Sequence, residues 1–419
     1  MLLSVPGKVL SRIILSRIKS KVDKNLRPNQ AGFRPGRSCA DQTAALRIII
    51  EQCCEWNASL YINFVDYEKA FDSLDRKTLW KLMAHYGIPA KIVNLTMAMY
   101  NRSGGKLLIN GKLTDFFEIR SGVRQGCLLS PFLFLLAIDW IMASSVKGKT
   151  GIQWSLCTQL EDLDYADDLA LLSGTHAQMQ EKTRLLAENS LKLGLKINIP
   201  KTKLMKINPK NNQPILLDNN PIDTVESFNY LGSIVDVLGG TEKDIQNRIH
   251  KARHAFSSLN KIWSTEQMGL KTKLRIFKSN VLSVLLYGSE TWFFTKALEK
   301  KLQTFVNRCL RRIKKIFWPC VISNEELWAQ TNCPKISPQI RGRKWRWLGH
   351  TLRKKDEEIS KGALRWNPQG KRRRGRPKKT WRRQLTEEMK GLNLSWAEVE
   401  ARAKKKEEWR SLVRGLCPP

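Results

Sequence analysis

Apolar positions along this chain follow two patterns, and the change between them marks its organisation. In the first half, short apolar runs end in carboxylates. Leu60–Val65 (LYINFV) has the composition of a buried strand and stops at Asp66. Leu163 and Leu169–Leu172 have the same character, and Tyr165-Ala166-Asp167-Asp168 between them reads as a tight turn joining two short strands. Lys106–Ile109 and Lys112–Ile119 flank Asn110-Gly111, the favoured turn of a two-residue hairpin. Apolar residues three and four apart predict helices over Val5–Val22, Asp41–Trp56, Arg76–Tyr86 and Thr175–Leu193, the last stopped by Gly194. Pro131 suits the first turn of a helix running to about Ser144, and Leu195–Ile199 reads as a further strand. From Gly240 the pattern is helical throughout, over Thr241–Trp263, Lys271–Trp292 and Lys296–Phe317. Glu387–Val413 predicts charged, weakly packed helix.

Charge adds a partner. Lys and Arg total 73 against 38 Asp and Glu, a formal net charge of +35 over 419 residues. Such an excess calls for a polyanion, and nucleic acid is the first choice, with binding that weakens steeply as salt rises. An anionic membrane is the other polyanion. Against it, no apolar run reaches the ~20 residues of a spanning helix; the longest, Leu128–Ala143, is broken by Pro131 and Asp139. The nine Cys residues (39, 53, 54, 127, 157, 309, 320, 333 and 417) lack close metal-ligand spacing and read as reduced thiols. A zinc site from Cys309, Cys320, Cys333 and His350 has gaps too long and irregular for a zinc knuckle, and His250 and His254 lack the Glu of a metalloprotease helix.

The acidic positions carry the candidate chemistry. Adjacent anions at a turn repel, and a divalent cation offsets that cost. The alternative is a hairpin tip with two solvated Asp. Asp66, at the end of a second buried strand about a hundred residues upstream, suggests one metal site built from two strands.

Four stretches, in order, resemble the reverse transcriptases. Asn29-Gln30-Ala31-Gly32-Phe33-Arg34-Pro35-Gly36-Arg37-Ser38 is similar to their fingers motif, and Leu60–Asp66 to motif A. Ser121-Gly122-Val123-Arg124-Gln125-Gly126-Cys127 resembles motif B, and Tyr165–Asp168 motif C. The wording is closest to non-LTR (LINE-type) retrotransposon enzymes. The resemblance implies an α+β right-hand polymerase fold: partial fingers, a palm with an antiparallel sheet, a helical thumb and a basic helical C-terminal region. The expected domains are fingers and palm over 1–235, thumb over 236–334 and a basic Trp-rich nucleic-acid-binding region over 335–419. Family members carry more fingers residues and an endonuclease domain upstream, so the expectation is a C-terminal fragment lacking the endonuclease.

The implied activity is RNA-directed DNA polymerisation, with an RNA template, a DNA primer or target, and dNTPs as partners. Asp66, Asp167 and Asp168 are the catalytic and metal-binding candidates, for two Mg²⁺, or Mn²⁺, about 3.5–4 Å apart. Asp168 either holds metal or tunes the site. For nucleotide or template contact the resemblance points to Arg34, Arg37, Phe71 (a steric gate beneath the sugar), Gln125, Gly126 and Lys201 (a general acid for the leaving pyrophosphate, or an ordinary solvated Lys). Asp72 is expected to cap the helix that follows rather than bind metal. Phe228–Ser233 resembles the primer grip.

In the tail, Arg341–Leu348 (RGRKWRWL) suits base stacking and phosphate contact, or a Trp-cored helical unit with a basic face. Arg374 and Arg376, within Lys371–Lys379 (KRRRGRPKK), fit an AT-hook, a nuclear localisation signal or a basic linker alike. Nucleus and cytoplasm are the expected locations. Nothing in the sequence identifies a protein partner. The rival function is a catalytically inactive, retrotransposon-derived RNA- or DNA-binding protein.

Overall fold

The computed structural model describes residues 4–416 except 102, 147 and 149. The chain forms two compact units. The first is Met1–Gln42, Asn57–Glu226 and Pro368–Gly370; the second is Thr43–Trp56, Ser227–Asn367 and Lys371–Pro419. The division thus falls at 226/227 rather than the expected 235/236. The second unit also joins the expected thumb and basic region instead of parting them at 334/335.

The first unit is built on a five-stranded sheet. Its strands are β1 (Leu60–Val65), β2 (Asp162–Tyr165), β3 (Asp168–Ser173), β4 (Lys203–Ile207) and β5 (Asp223–Thr224), in the order β5-β4-β1-β3-β2. All neighbours are antiparallel except β4 and β5. β1 lies between β3 and β4 and is buried along its whole length. On one face Tyr61, Val65, Leu169 and Leu171 join a core with helices Ser130–Ser145 and His176–Leu191. The alternate residues Ile62, Phe64, Ala170 and Leu172 are equally buried. With both faces covered, no polar position interrupts the apolar run except Asn63, whose amide donates to Thr183 Oγ1 at 3.0 Å.

Helix Ser130–Ser145 is apolar nearly all round because it lies inside that core: Leu133 to Ile138 are all buried. Helix His176–Leu191 begins where Thr175 accepts a bond from Gln178 N–H. Asn110 and Gly111 both take positive φ, 49° and 78°, as the hairpin Leu108–Ile109/Lys112–Leu113 requires. Two local expectations need correction. Asp75, not Asp72, caps helix Arg76–His85, accepting from Thr78 N–H at 2.7 Å. Leu195–Ile199 is not a strand; it offers only a single bridge, between Tyr67 and Ile197.

In the second unit, Ser227–Tyr230 and Ser233–Asp236 form a hairpin over the stretch that resembles the primer grip. Helices Glu242–Ser258 and Lys296–Ile313 contribute to its core, and the stretch expected as one helix from Lys271 is broken by a π-helical turn over Phe277–Leu282. Inside it Arg47 donates to Asp244 (2.7 Å) and to Thr291 Oγ1 (2.7 Å), and Trp292 Nε1 donates to the same Asp244 oxygen (2.8 Å). The C-terminal stretch is three packed helices, not weakly packed helix: Trp381–Lys390, Trp396–Lys404 and Lys406–Leu416. Trp345 is buried against Trp409, 5.6 Å between ring centres, and Trp409 Nε1 donates to Trp345 O. A side chain at Gly349 would meet the Trp409 indole at 2.0 Å, so only glycine fits beneath that ring. Trp345 and Trp347 are therefore core residues, and the base-stacking role is withdrawn from them.

Candidate active site

Asp66 and the Asp167-Asp168 pair meet at one end of the sheet because of strand register. Val65 pairs with Leu169, so the next residue of each strand toward that end is Asp66 on β1 and Asp168 on β3. Tyr165 pairs with Asp168 across the two-residue turn Ala166-Asp167. Ala166 takes φ +59°, a left-handed conformation that L residues disfavour. The backbone beyond Asp66 is pinned as well. Asn198 N–H donates to Asp66 O (2.8 Å) and Glu68 N–H to Lys196 O (2.9 Å), which is what the Leu195–Ile199 segment does in place of a strand.

The electrostatics of this end are those of crowded anions. Asp167 and Asp168 reach solvent, yet each carboxyl is hemmed in by protein. Burial, then Asp66, pushes Asp167 above the usual carboxylate range. Burial, then Asp167 and Asp66, pushes Asp168 up to about 6. One carboxylate oxygen of Asp66, Oδ2, is buried with no hydrogen-bond partner, and the Lys201 ammonium lies 3.6 Å from it.

Among the described residues no three His, Cys, Asp or Glu side chains close into a ready-made metal cage. The hard oxygen donors, the unsatisfied Asp66 oxygen and the mutual repulsion all fit a divalent cation.

A titration follows. Asp168 has its folded pKa above its ordinary 3.8, so its contribution to stability is fully present below that value and is lost as pH rises through about 6. In chelator-treated protein, Asp168→Asn is expected to melt close to wild type at pH 4 and above it at pH 7. Thermal melts across that range check this, and a difference that stays flat contradicts the repulsion.

The motif B loop docks on the turn after Asp66. Val123 N–H donates to Phe71 O (2.7 Å), Gly122 N–H to Leu74 O (2.8 Å) and Gln125 Nε2 to Asp72 Oδ1 (3.5 Å). Gly122 takes φ +73°, and a Cβ there would lie 2.5 Å from Phe71 O. Phe71 itself is half-buried and stacked on Phe134 at 4.7 Å. Gly126 also takes positive φ, +82°.

The two fingers arginines behave differently from expectation. Arg34 donates to Asp23 Oδ1 (2.7 Å) and to the carbonyls of Asp23, Arg27 and Gln30, and its side chain is 7% exposed. Arg37 donates to the carbonyls of Pro28 and Gln30. Asp23 and carbonyls of the same segment engage all three guanidinium nitrogens of Arg34, whereas carbonyls engage Nη1 of Arg37. Both hold that loop in shape. Arg374 and Arg376 belong to the other unit and are exposed. Their segment is not a loose linker: Arg372 pairs with Glu55 (2.7 Å), Arg383 pairs with the same carboxylate, and Trp381 N–H donates to Glu51 (3.0 Å).

Sequence reasoning missed a buried network beneath the turn. Arg27 donates to both oxygens of Asp162 (3.0 and 3.2 Å) and to Asp164 (2.7 Å), and its Nε lies 3.6 Å from Asp139. Burial works against the guanidinium charge, but Asp162 and Asp164 outweigh it and raise the Arg27 pKa. Asp164 is driven well up by burial and by Asp162. The available signal was Asp162 and Asp164 alternating on one strand face.

Comparison with known proteins agrees with this geometry. Residues 1–235 match the family model of the reverse transcriptase (RNA-dependent DNA polymerase), and residues 255–287 match a domain of unknown function. The Pol polyprotein from type-2 retrotransposable element R2DM of Drosophila melanogaster is 30% identical over 205 residues, 48% of this chain and 19% of that protein. A probable RNA-directed DNA polymerase from transposon BS, also of Drosophila melanogaster, is 25% identical over 81% of this chain and 38% of its own length. An uncharacterized transposon-derived protein of Caenorhabditis elegans is 25% identical over 61% of this chain and 95% of its own. This chain therefore spans only part of the two Drosophila relatives. A weaker likeness is to apo telomerase from Candida tropicalis, with TM-score 0.45 and 13% identity over 84% of this chain and 55% of that one. The motif order, the sheet with its carboxylates and the family match together establish that the chain belongs to the reverse transcriptase family, in its non-LTR retrotransposon branch.

Proposed function

We propose that this chain is an RNA-directed DNA polymerase that adds dNTPs to a primer 3′-OH along an RNA template. The observation that carries the proposal is the register bringing Asp66 beside Asp167 and Asp168 at one end of a buried sheet. Asp66 and Asp167 would hold two Mg²⁺, or Mn²⁺, with Asp168 at the margin. Such ions, when bound, activate the attacking hydroxyl and neutralise charge on the triphosphate.

The chain's own groups supply orientation. Phe71, braced on Phe134, would meet the sugar and exclude a 2′-OH. Gln125, tied to Asp72, and the positive-φ Gly126 would border the nascent base pair. Lys201, 3.6 Å from Asp66, would turn toward the departing pyrophosphate as a proton donor. The exposed Arg374 and Arg376 would contact a nucleic-acid backbone, and a nuclear as well as cytoplasmic location suits such a basic segment.

Primer extension with purified protein, on RNA and DNA templates, with Mg²⁺, Mn²⁺ or chelator, tests this. Divalent-dependent extension preferring RNA is expected. Binding of primer–template with no extension in either metal would favour a nucleic-acid-binding protein without catalysis.

A further inference from the structure

Gln30 has no role in the expectations drawn from the sequence, yet it is the buried side chain most closely engaged with the catalytic turn. It has no exposed surface. Its Oε1 accepts from Ala166 N–H (2.9 Å) and Gly32 N–H (2.7 Å), and its Nε2 donates to Ala166 O (3.3 Å). The amide orientation follows from chemistry: reversed, an NH₂ would face two N–H donors. One side chain thus satisfies both backbone polar groups of the residue that carries the left-handed φ of +59°. Ala166 O belongs to the peptide that links Ala166 to Asp167, so Gln30 fixes the plane from which the Asp167 carboxylate projects.

The surrounding loop braces the same strand. Ala31 N–H donates to Asp164 O (2.9 Å), Gln42 Nε2 to that oxygen (3.1 Å) and Asn29 Nδ2 to Asp162 O (3.2 Å). Gly32 lies so close that a Cβ there would be 2.3 Å from Ala166 N. A hairpin turn left to its own strand pair has none of these restraints.

We propose that Gln30 is a positioning residue: by bonding both sides of Ala166 it holds the turn in its strained form and sets the angle at which Asp167 is presented to a divalent cation. The proposal rests on the polymerase reading of the three carboxylates. Buried groups that orient metal-binding side chains commonly matter about 10–100-fold in affinity or activity.

The test uses the full chain. Mn²⁺ binding is measured by electron paramagnetic resonance without nucleic acid or nucleotide, alongside thermal melts and single-nucleotide incorporation resolved into kcat and KM. Gln30→Ala is expected to weaken Mn²⁺ binding about tenfold and to lower kcat about 10–100-fold, with primer–template affinity unchanged. Ala166→Gly adopts positive φ freely, so adding it to Gln30→Ala is expected to recover most of both losses. A role in folding alone predicts a lower melting temperature with Mn²⁺ affinity and kcat per folded molecule unchanged, and that result overturns the proposal. Failure of Ala166→Gly to rescue a folded Gln30→Ala protein overturns it as well. If Gln30→Ala does not fold, Gln30→Met, which keeps the bulk and loses the bonds to both sides of Ala166, decides by the same Mn²⁺ measurement: weakened binding supports the proposal and wild-type binding overturns it. Should wild-type protein extend no primer, the polymerase reading fails on that arm, while Mn²⁺ affinity still judges Gln30.

Discussion

Asp167→Ala is expected to abolish dNTP incorporation on a primed RNA template while leaving RNA binding nearly intact. Asp167 is the second residue of the turn between β2 and β3 and faces solvent, so the fold loses little with it. The site loses a carboxylate that no other group replaces. Losing about 4 kcal/mol of charge stabilisation in the transition state is about a thousandfold in rate. Binding is carried by the basic excess spread over the chain, which one Asp barely alters. The paired measurement is incorporation rate and RNA affinity on the same preparation. A variant with rate within a few-fold of wild type contradicts the assignment, and parallel loss of RNA binding points to misfolding instead.

Arg27→Ala is expected to be among the most destabilising single changes in the first unit. Asp162 and Asp164 have no exposed surface, and Asp139 almost none. Arg27 is the cation bonded to Asp162 and Asp164, and it lies against Asp139 as well. Removing one partner of such a network typically costs about 3–5 kcal/mol, because charge is left buried without compensation. Total stabilities are only about 5–15 kcal/mol. The loss should depend on pH with a definite sign. Without Arg27 the three carboxyls have folded pKa values above their unfolded ones, so their contribution is present at low pH and disappears as pH rises. Denaturant unfolding at pH 5 and pH 7.5 should show a smaller deficit at pH 5. A deficit under about 1 kcal/mol at both pH values contradicts the buried-charge account.

The parts of the site that were legible in the sequence are those fixed by local pattern. A strand covered on both faces must be apolar throughout, so Leu60–Val65 announced itself and Asp66 marked its open end. The Tyr165–Asp168 turn was legible for the same reason, being flanked by β2 and β3. What the pattern hides is who meets whom. Asp162 and Asp164 alternate as solvent-facing residues do, and the arginine that explains them is 135 residues upstream of the first. Arg34 and Arg37 look like free cations in any sequence; whether carbonyls nearby have already taken their donors is decided by the loop's closure. Choosing between Asp72 and Asp75 as a helix cap depends on where the first turn of that helix begins, a matter of one residue's ψ. In the C-terminal stretch the heavy charge masked Leu385, Met389, Trp409 and Val413, whose spacing by four places them on one buried side of each helix.

A divalent cation is expected to bind where β1 ends beside the turn between β2 and β3. Loading the protein with Fe²⁺ in place of Mg²⁺ and adding ascorbate with peroxide cuts backbone near the bound ion, and mass spectrometry of the fragments locates the cuts. Cleavage is expected near Asp66 and within Tyr165–Asp168, suppressed by excess Mg²⁺ and absent in Asp167→Ala. Cuts at only one of the two segments, or cuts that Asp167→Ala leaves untouched, would contradict a site shared by these strands.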